Sequence, residues 1–141
     1  MTVFCRSAVS VRSSIVSKLT RGGALPVVPD NVVLHNGWFT ETLSDFVATL
    51  NEPVALLHID CDIYSPTRDV FTAFAHHLGP GTIIVFNEYY GIYGWERQEF
   101  LAFQEFVAAN GVEYEYLACA FDSQAAVRIE KKPAATVAAP A

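Results

Sequence analysis

Asp60 and Asp62 stand one residue apart at the end of the apolar run Pro53-Val54-Ala55-Leu56-Leu57-His58-Ile59. A second pair of polar side chains, Asn87 and Glu88, ends the apolar run Thr82-Ile83-Ile84-Val85-Phe86. An unpaired buried carboxylate costs several kcal/mol or takes up a proton, so packing alone explains such acids poorly. They suit a proton to be moved or a hard divalent cation such as magnesium, which prefers carboxylates plus water and substrate oxygens. A cation there would lower the pKa of a substrate hydroxyl and hold it for attack. The plainer alternatives are that one aspartate caps the following helix while the other is solvated, and that Asn87 and Glu88 bond nearby backbone. His58 shares a strand face with Asp60 and is more simply a buried histidine bonded to backbone. His35 ends an earlier strand and could reach the same crevice. Cys61, between two acids, should have a raised pKa and is a poor nucleophile.

The elements that must carry these residues follow from the spacing of apolar positions. A run apolar on both faces reads as a strand covered on both sides, and its carboxyl end opens where α/β sheets bind ligands. Asn31 to His35 reads as a short strand. Thr40 is a candidate N-cap for a helix to about Leu50, with Leu43, Phe46, Val47 and Leu50 on one face. Strand, helix and strand then form a βαβ unit, whose strands run parallel. Ser65-Pro66 reads as the start of the next helix, with Val70, Phe71, Phe74 and Leu78 inward. The loop after Glu88 is rich in aromatics and glycine and offers a substrate wall or simple packing. Trp95 to Ala109 reads as a helix with Phe100, Phe103, Phe106 and Val107 inward, stopped by Asn110-Gly111. Beyond it the period changes to two, and residues 112–118 and 124–130 read as an antiparallel hairpin. Adjacent parallel strands would bring the Asp60/Asp62 and Asn87/Glu88 clusters side by side.

The chain has 141 residues, enough for one domain, and 52% of them are hydrophobic. Its net charge of −6 argues against nucleic acid or an anionic membrane as a partner. Arg6, Arg12, Lys18 and Arg21 occur in residues 1–29 with no acid, whereas residues 30–124 hold only Arg68 and Arg97. The acid-free start resembles an organellar transit peptide in composition, or it forms a solvated tail or an edge strand. Three distant cysteines with no CxxC pair point to a reducing compartment, so a cytoplasmic location is expected. The organisation expected is an unassigned segment over 1–18, a domain over 19–130, and an Ala/Pro-rich tail over 131–141 that cannot build a core.

The strings VPDNVVLHNGWFTETL, VALLHIDCDIYSPTRDVFTAF and LGPGTIIVFNEYYG resemble the metal-dependent O-methyltransferases related to macrocin O-methyltransferase, within the class I S-adenosylmethionine-dependent methyltransferases. The resemblance covers roughly residues 20–130, and its most specific parts are Asp60-x-Asp62-x-Tyr64 and the Asn87-Glu88-Tyr89 stretch. It implies α/β structure, a partial Rossmann-like sheet that is mostly parallel with a C-terminal antiparallel hairpin. It also implies S-adenosylmethionine and magnesium as cofactors and a small-molecule hydroxyl as acceptor. By the same resemblance Asp60 would be a metal ligand and Asp62 a second ligand or general base. Asn87 and Glu88 would complete the metal site, and Gly37, Trp38 and Phe39 would lie near the adenine pocket. The chain departs from the family at Asn87, where aspartate is usual, and in lacking the glycine-rich cofactor loop and the first two strands. Without those strands the Val54 to Ile59 strand would be a bare apolar edge. It could be covered by the Asn31–His35 strand, by residues 1–18, by a missing N-terminal half or by a second copy. Two other readings remain: a non-catalytic remnant serving as an interaction module, and the D-x-D chemistry of haloacid dehalogenase phosphatases or metal-using glycosyltransferases. The phosphatase chemistry needs a lysine near the phosphate, and none occurs between Lys18 and Lys131.

Overall fold

The computed structural model describes residues 2–5, 8–12 and 27–132, the first two stretches by their backbone. Seven strands form one sheet in the order β3-β1-β2-β4-β5-β7-β6. The strands are β1 (Thr2–Cys5), β2 (Ala8–Arg12), β3 (Val33–His35), β4 (Leu56–Asp60), β5 (Ile83–Phe86), β6 (Glu113–Cys119) and β7 (Ala125–Lys131). Three helices join them: α1 (Phe39–Val47), α2 (Tyr64–Phe74) and α3 (Glu99–Asn110), the last preceded by a 3-10 turn over Trp95–Arg97.

The partial methyltransferase-like sheet with its C-terminal hairpin is as expected, but fewer strands are parallel than the apolar runs suggest. Only β2–β4 and β4–β5 pair in parallel, and the other four pairings are antiparallel. The cause is the N-terminal hairpin. β1 and β2 turn back on each other, so β3 meets β1 antiparallel, although β3 and β4 still point the same way as the βαβ connection requires. Residues 1–18 were expected unassigned, as an edge strand, or as one of several candidates to cover the bare edge of β4. The structure takes the last of these: β1 and β2 lie inside the sheet, and β2 covers that flank of β4.

The core lies on one face. Leu57, Ile59, Ile84, Phe86, Val127 and Ile129 are fully buried there against Leu43 of α1, Val70, Phe71 and Phe74 of α2, and Phe103 and Phe106 of α3. Alternate positions Leu56, His58, Ile83 and Val85 face the other way and are only partly buried. The expectation of full cover on both faces of β4 is therefore not met among the described residues. An apolar run cannot distinguish one covered face from two.

The helix starts also differ from the spacing argument. The N-cap of α1 is Trp38 rather than Thr40, and its N–H donates to the Glu41 carboxylate at 3.3 Å. Helix α2 begins at Tyr64 after Ile63, so Ser65 caps nothing; the Tyr64 N–H is taken by Gln98 Oε1 at 3.0 Å. The helix expected from Trp95 breaks at Gln98, whose φ of −112° and ψ of −127° are non-helical. Gly111 closes α3 in the left-handed region, at φ 60°, where glycine lacks the Cβ penalty. The expected tail lies outside the described residues from 133 onward. Among the described residues no helix is long and apolar enough to cross a membrane.

Candidate active site

Register places the site. Across the sheet His35 pairs with Thr2, Thr2 with Val11, Val11 with Ile59, Ile59 with Phe86, and Phe86 with Ala125. The loops after β3, β4 and β5 and the turn before β7 thus share one edge, the carboxyl end of the parallel strands. Open α/β sheets bind ligands there.

The two acidic clusters do meet at this edge. Asn87 Nδ2 donates to Asp60 Oδ1 at 3.4 Å, and Asp60 is buried. Asn87 is fixed in turn by Ser123, whose hydroxyl donates to the Asn87 carbonyl at 3.0 Å. The Asp62 carboxyl lies near that of Glu88, and a proton on Glu88 could be donated to it. That hydrogen bond, followed by burial and by the charges of Asp62, Glu99 and Asp60, lifts Glu88 to about 7. Asp62 lies in the left-handed region at φ 65°, where aspartate is tolerated better than most side chains. Cys61 is fully buried and in no disulfide, and burial with the Glu99 charge raises its pKa, as expected for an inert thiol.

Glu99 was missed. It is fully buried at the start of α3. Its Oε1 accepts the N–H groups of Cys61 at 2.9 Å and Asp62 at 3.2 Å, and its Oε2 accepts that of Glu88 at 3.3 Å. Position 99 stands four and seven residues before Phe103 and Phe106, so an acid on the inward stripe of this helix was the available signal.

Burial is the largest influence on Glu99 and raises it to about 7, against the three backbone donors. The folded state therefore holds this proton more tightly than the unfolded chain does. Glu99 favours folding fully below its unfolded pKa of 4.5, and that contribution is lost as pH rises to about 7. Urea midpoints at pH 5 and pH 8 should show a fall of roughly 2–3 kcal/mol in the wild type beyond that in Glu99→Gln.

The expected cofactor residues separate. Gly37 and Trp38 follow β3 at the same edge, three strands from β4 and so roughly 14 Å along the sheet. Trp38 is 73% exposed and free to stack on a ring, whereas Phe39 is buried in the core. A Cβ at Gly37 would lie 2.8 Å from the Thr42 side chain, so the turn into α1 requires glycine. The aromatic loop divides likewise. Tyr89 is buried against Phe86 at 4.7 Å, with its hydroxyl 2.8 Å from that of Tyr116. Tyr93 is fully exposed, as is Phe121 in the neighbouring turn.

The donor set does not suit a metal as arranged. Asp60, Asn87 and Glu88 were expected to share a cation, yet Asn87 turns its amide N–H, not its oxygen, toward Asp60. Among the described residues no three His, Cys, Asp or Glu side chains form a group able to hold an ion.

A family model described as a methyltransferase domain matches residues 9–89, more than half of the chain. The chain belongs to this methyltransferase family. Such a domain implies a methyl donor of the S-adenosylmethionine type in general. Two solved structures of CalS11 are similar to it. The apo structure, of a TDP-rhamnose 3'-O-methyltransferase in calicheamicin biosynthesis, is 25% identical with a TM-score of 0.53, covering 67% of this methyltransferase chain and 39% of its own. The second, a calicheamicin methyltransferase, is 25% identical with a TM-score of 0.51 over 65% and 35%. The chain thus spans well under half the length of these relatives. No curated protein sequence matches it.

Proposed function

We propose that the chain is an O-methyltransferase of the macrocin type, moving a methyl group from S-adenosylmethionine to a hydroxyl of a small molecule. The observation that carries this reading is the meeting of Asp60, Asp62, Asn87 and Glu88 at the ligand-binding edge, joined by the Asn87–Asp60 bond, with Glu88 raised to about 7 beside Asp62. The ionised form of the Asp62 and Glu88 carboxyls takes the acceptor O–H proton. The deprotonated oxygen would be the nucleophile for the methyl group of a bound donor, which would leave as the neutral thioether. The sulfonium supplies an activated methyl group when bound. Holding donor and acceptor in line contributes much of the acceleration. Asp60 and Asn87 brace the neighbouring loop, and exposed Trp38 offers a stacking face for adenine. The loop joining Glu88 to Glu99 borders an open surface hollow lined by its own residues 91–97, which does not include the acidic cluster.

The fragmentary match to CalS11 favours one second reading, a non-catalytic module that works only with further chain or another copy. Calorimetry with S-adenosylmethionine separates the two. Binding at micromolar to millimolar ligand with turnover of a hydroxylated acceptor supports the enzyme. Absence of binding at millimolar ligand rules out catalysis by this chain alone. The same titration with magnesium tests metal assistance: tight binding that pulls Glu88 out of its pair would replace the proton route with a cation.

A further inference from the structure

We infer that Glu99 is a positioning residue, a buried clasp that holds the two carboxyl-bearing loops in register so that Asp62 and Glu88 meet. This inference rests on the proposed methyl transfer only for its catalytic consequence; the clasp itself is a matter of geometry. The two loops leave adjacent strands with no ladder to join them, because parallel pairing ends at Ile59 and Phe86. Beyond that line Asn87 N–H still reaches the Ile59 carbonyl at 2.9 Å, and no further backbone bond joins the two loops among the described residues. Glu99 spans the gap, one oxygen on Cys61 and Asp62 and the other on Glu88. Its neighbour Gln98 extends the grip by accepting the Tyr64 N–H, so the amides of residues 61, 62 and 64 are all held from the start of α3. Ile63 between them closes locally on the Cys61 carbonyl at 2.7 Å. A fully buried carboxylate is an expensive way to satisfy three N–H groups that water could reach in an open loop. It is explained if the loop must be kept at fixed distance from its neighbour and at the left-handed turn of Asp62.

The side chain must have two acceptor oxygens to do this. Glutamine has one, so in Glu99→Gln an NH₂ group faces either Glu88 N–H or the Cys61/Asp62 pair. Hydrogen exchange followed by NMR should show the amide of Glu88, or those of Cys61 and Asp62, exchanging at least about tenfold faster. Amides inside β5 and β7 should stay within about twofold. In turnover assays kcat should fall at least about tenfold while the KM for S-adenosylmethionine stays within about twofold. Glu99→Asp, which keeps both oxygens but shortens the reach by one bond, carries the same measurements should the glutamine variant not fold. Unchanged exchange at all three amides overturns the clasp. So does uniform acceleration across the sheet with kcat and KM worsening together, because that pattern marks a general structural role. An inactive wild type with the selective exchange pattern would overturn methyl transfer and leave the clasp standing.

Discussion

Asp62→Asn is expected to reduce methyl transfer by about 10²–10⁴-fold, the range for loss of a positioned general base. The exchange is nearly isosteric. Asparagine, like aspartate, accepts the left-handed backbone found at φ 65°, and its N–H can still donate to Glu99. Stability should therefore change little while the proton acceptor is lost. The pH profile makes the prediction specific. In the wild type Glu88 is lifted to about 7, first by its hydrogen bond to Asp62. The ionised pair grows as pH rises, so the rate should climb through about pH 7 and level off above it. In Asp62→Asn the charge on the accepting group is gone, and Glu88 should titrate lower, nearer an ordinary carboxyl. The inflection should leave the neutral range together with most of the rate. On the proposed placement of the donor at Trp38, three strands away, S-adenosylmethionine affinity should stay within about twofold. A variant that keeps wild-type kcat with the inflection in place would remove Asp62 from the chemistry and the proton route with it.

How much of this was legible depends on whether a feature is local. The two acidic clusters could be paired from sequence because each ends an apolar run, and a βαβ connection fixes adjacent strands in parallel. Register then brings Ile59 opposite Phe86 with no further information. The N-terminal hairpin was not legible. Val9-Ser10-Val11-Arg12 alternates as an edge strand would, and only the gap beside β4 decides that it pairs with Leu56–Asp60. The starts of α1 and α2 were misplaced for a related reason. Thr40 and Ser65 are good local caps, but Glu41 fixes the N–H of Trp38 two residues earlier than Thr40, and Gln98 takes the Tyr64 N–H from a distant element. Gln98 lies thirty-four residues from the amide it serves, beyond any local pattern. Glu99 is the instructive miss. Counting phenylalanines along α3 marks its inward face correctly and passes over the acid on that same face. A buried acid inside an apolar stripe is a stronger sign of function than the stripe is of packing.

Phe71→Ala should cost about 3–5 kcal/mol, because it empties the centre of the core. Phe71 is 2% exposed on α2. Its ring stacks on Phe106 at 4.8 Å and 17°, and it lies 5.6 Å from Phe103 and 6.2 Å from Phe86. One side chain therefore ties α2 to α3 and both to β5. Aromatic contacts of this kind add about 0.5–1.5 kcal/mol each beyond the area buried. A domain with about 5–15 kcal/mol in total would be left near its threshold. The urea midpoint should drop by a large fraction with little change in slope, since the surface exposed on unfolding is nearly the same. Phe71→Leu, which keeps most of the volume, should recover the greater part of the loss. The functional consequence differs from that of Asp62→Asn. Helix α3 carries Glu99 and Gln98 at its start, so loosening its seat on α2 also loosens the amides they hold. Activity should fall in step with the folded fraction and return on cooling, whereas no temperature restores a missing base. Loss of activity in Phe71→Ala at a temperature where the protein remains fully folded, with α3 amides still protected, would mean that packing and positioning are not coupled through this helix.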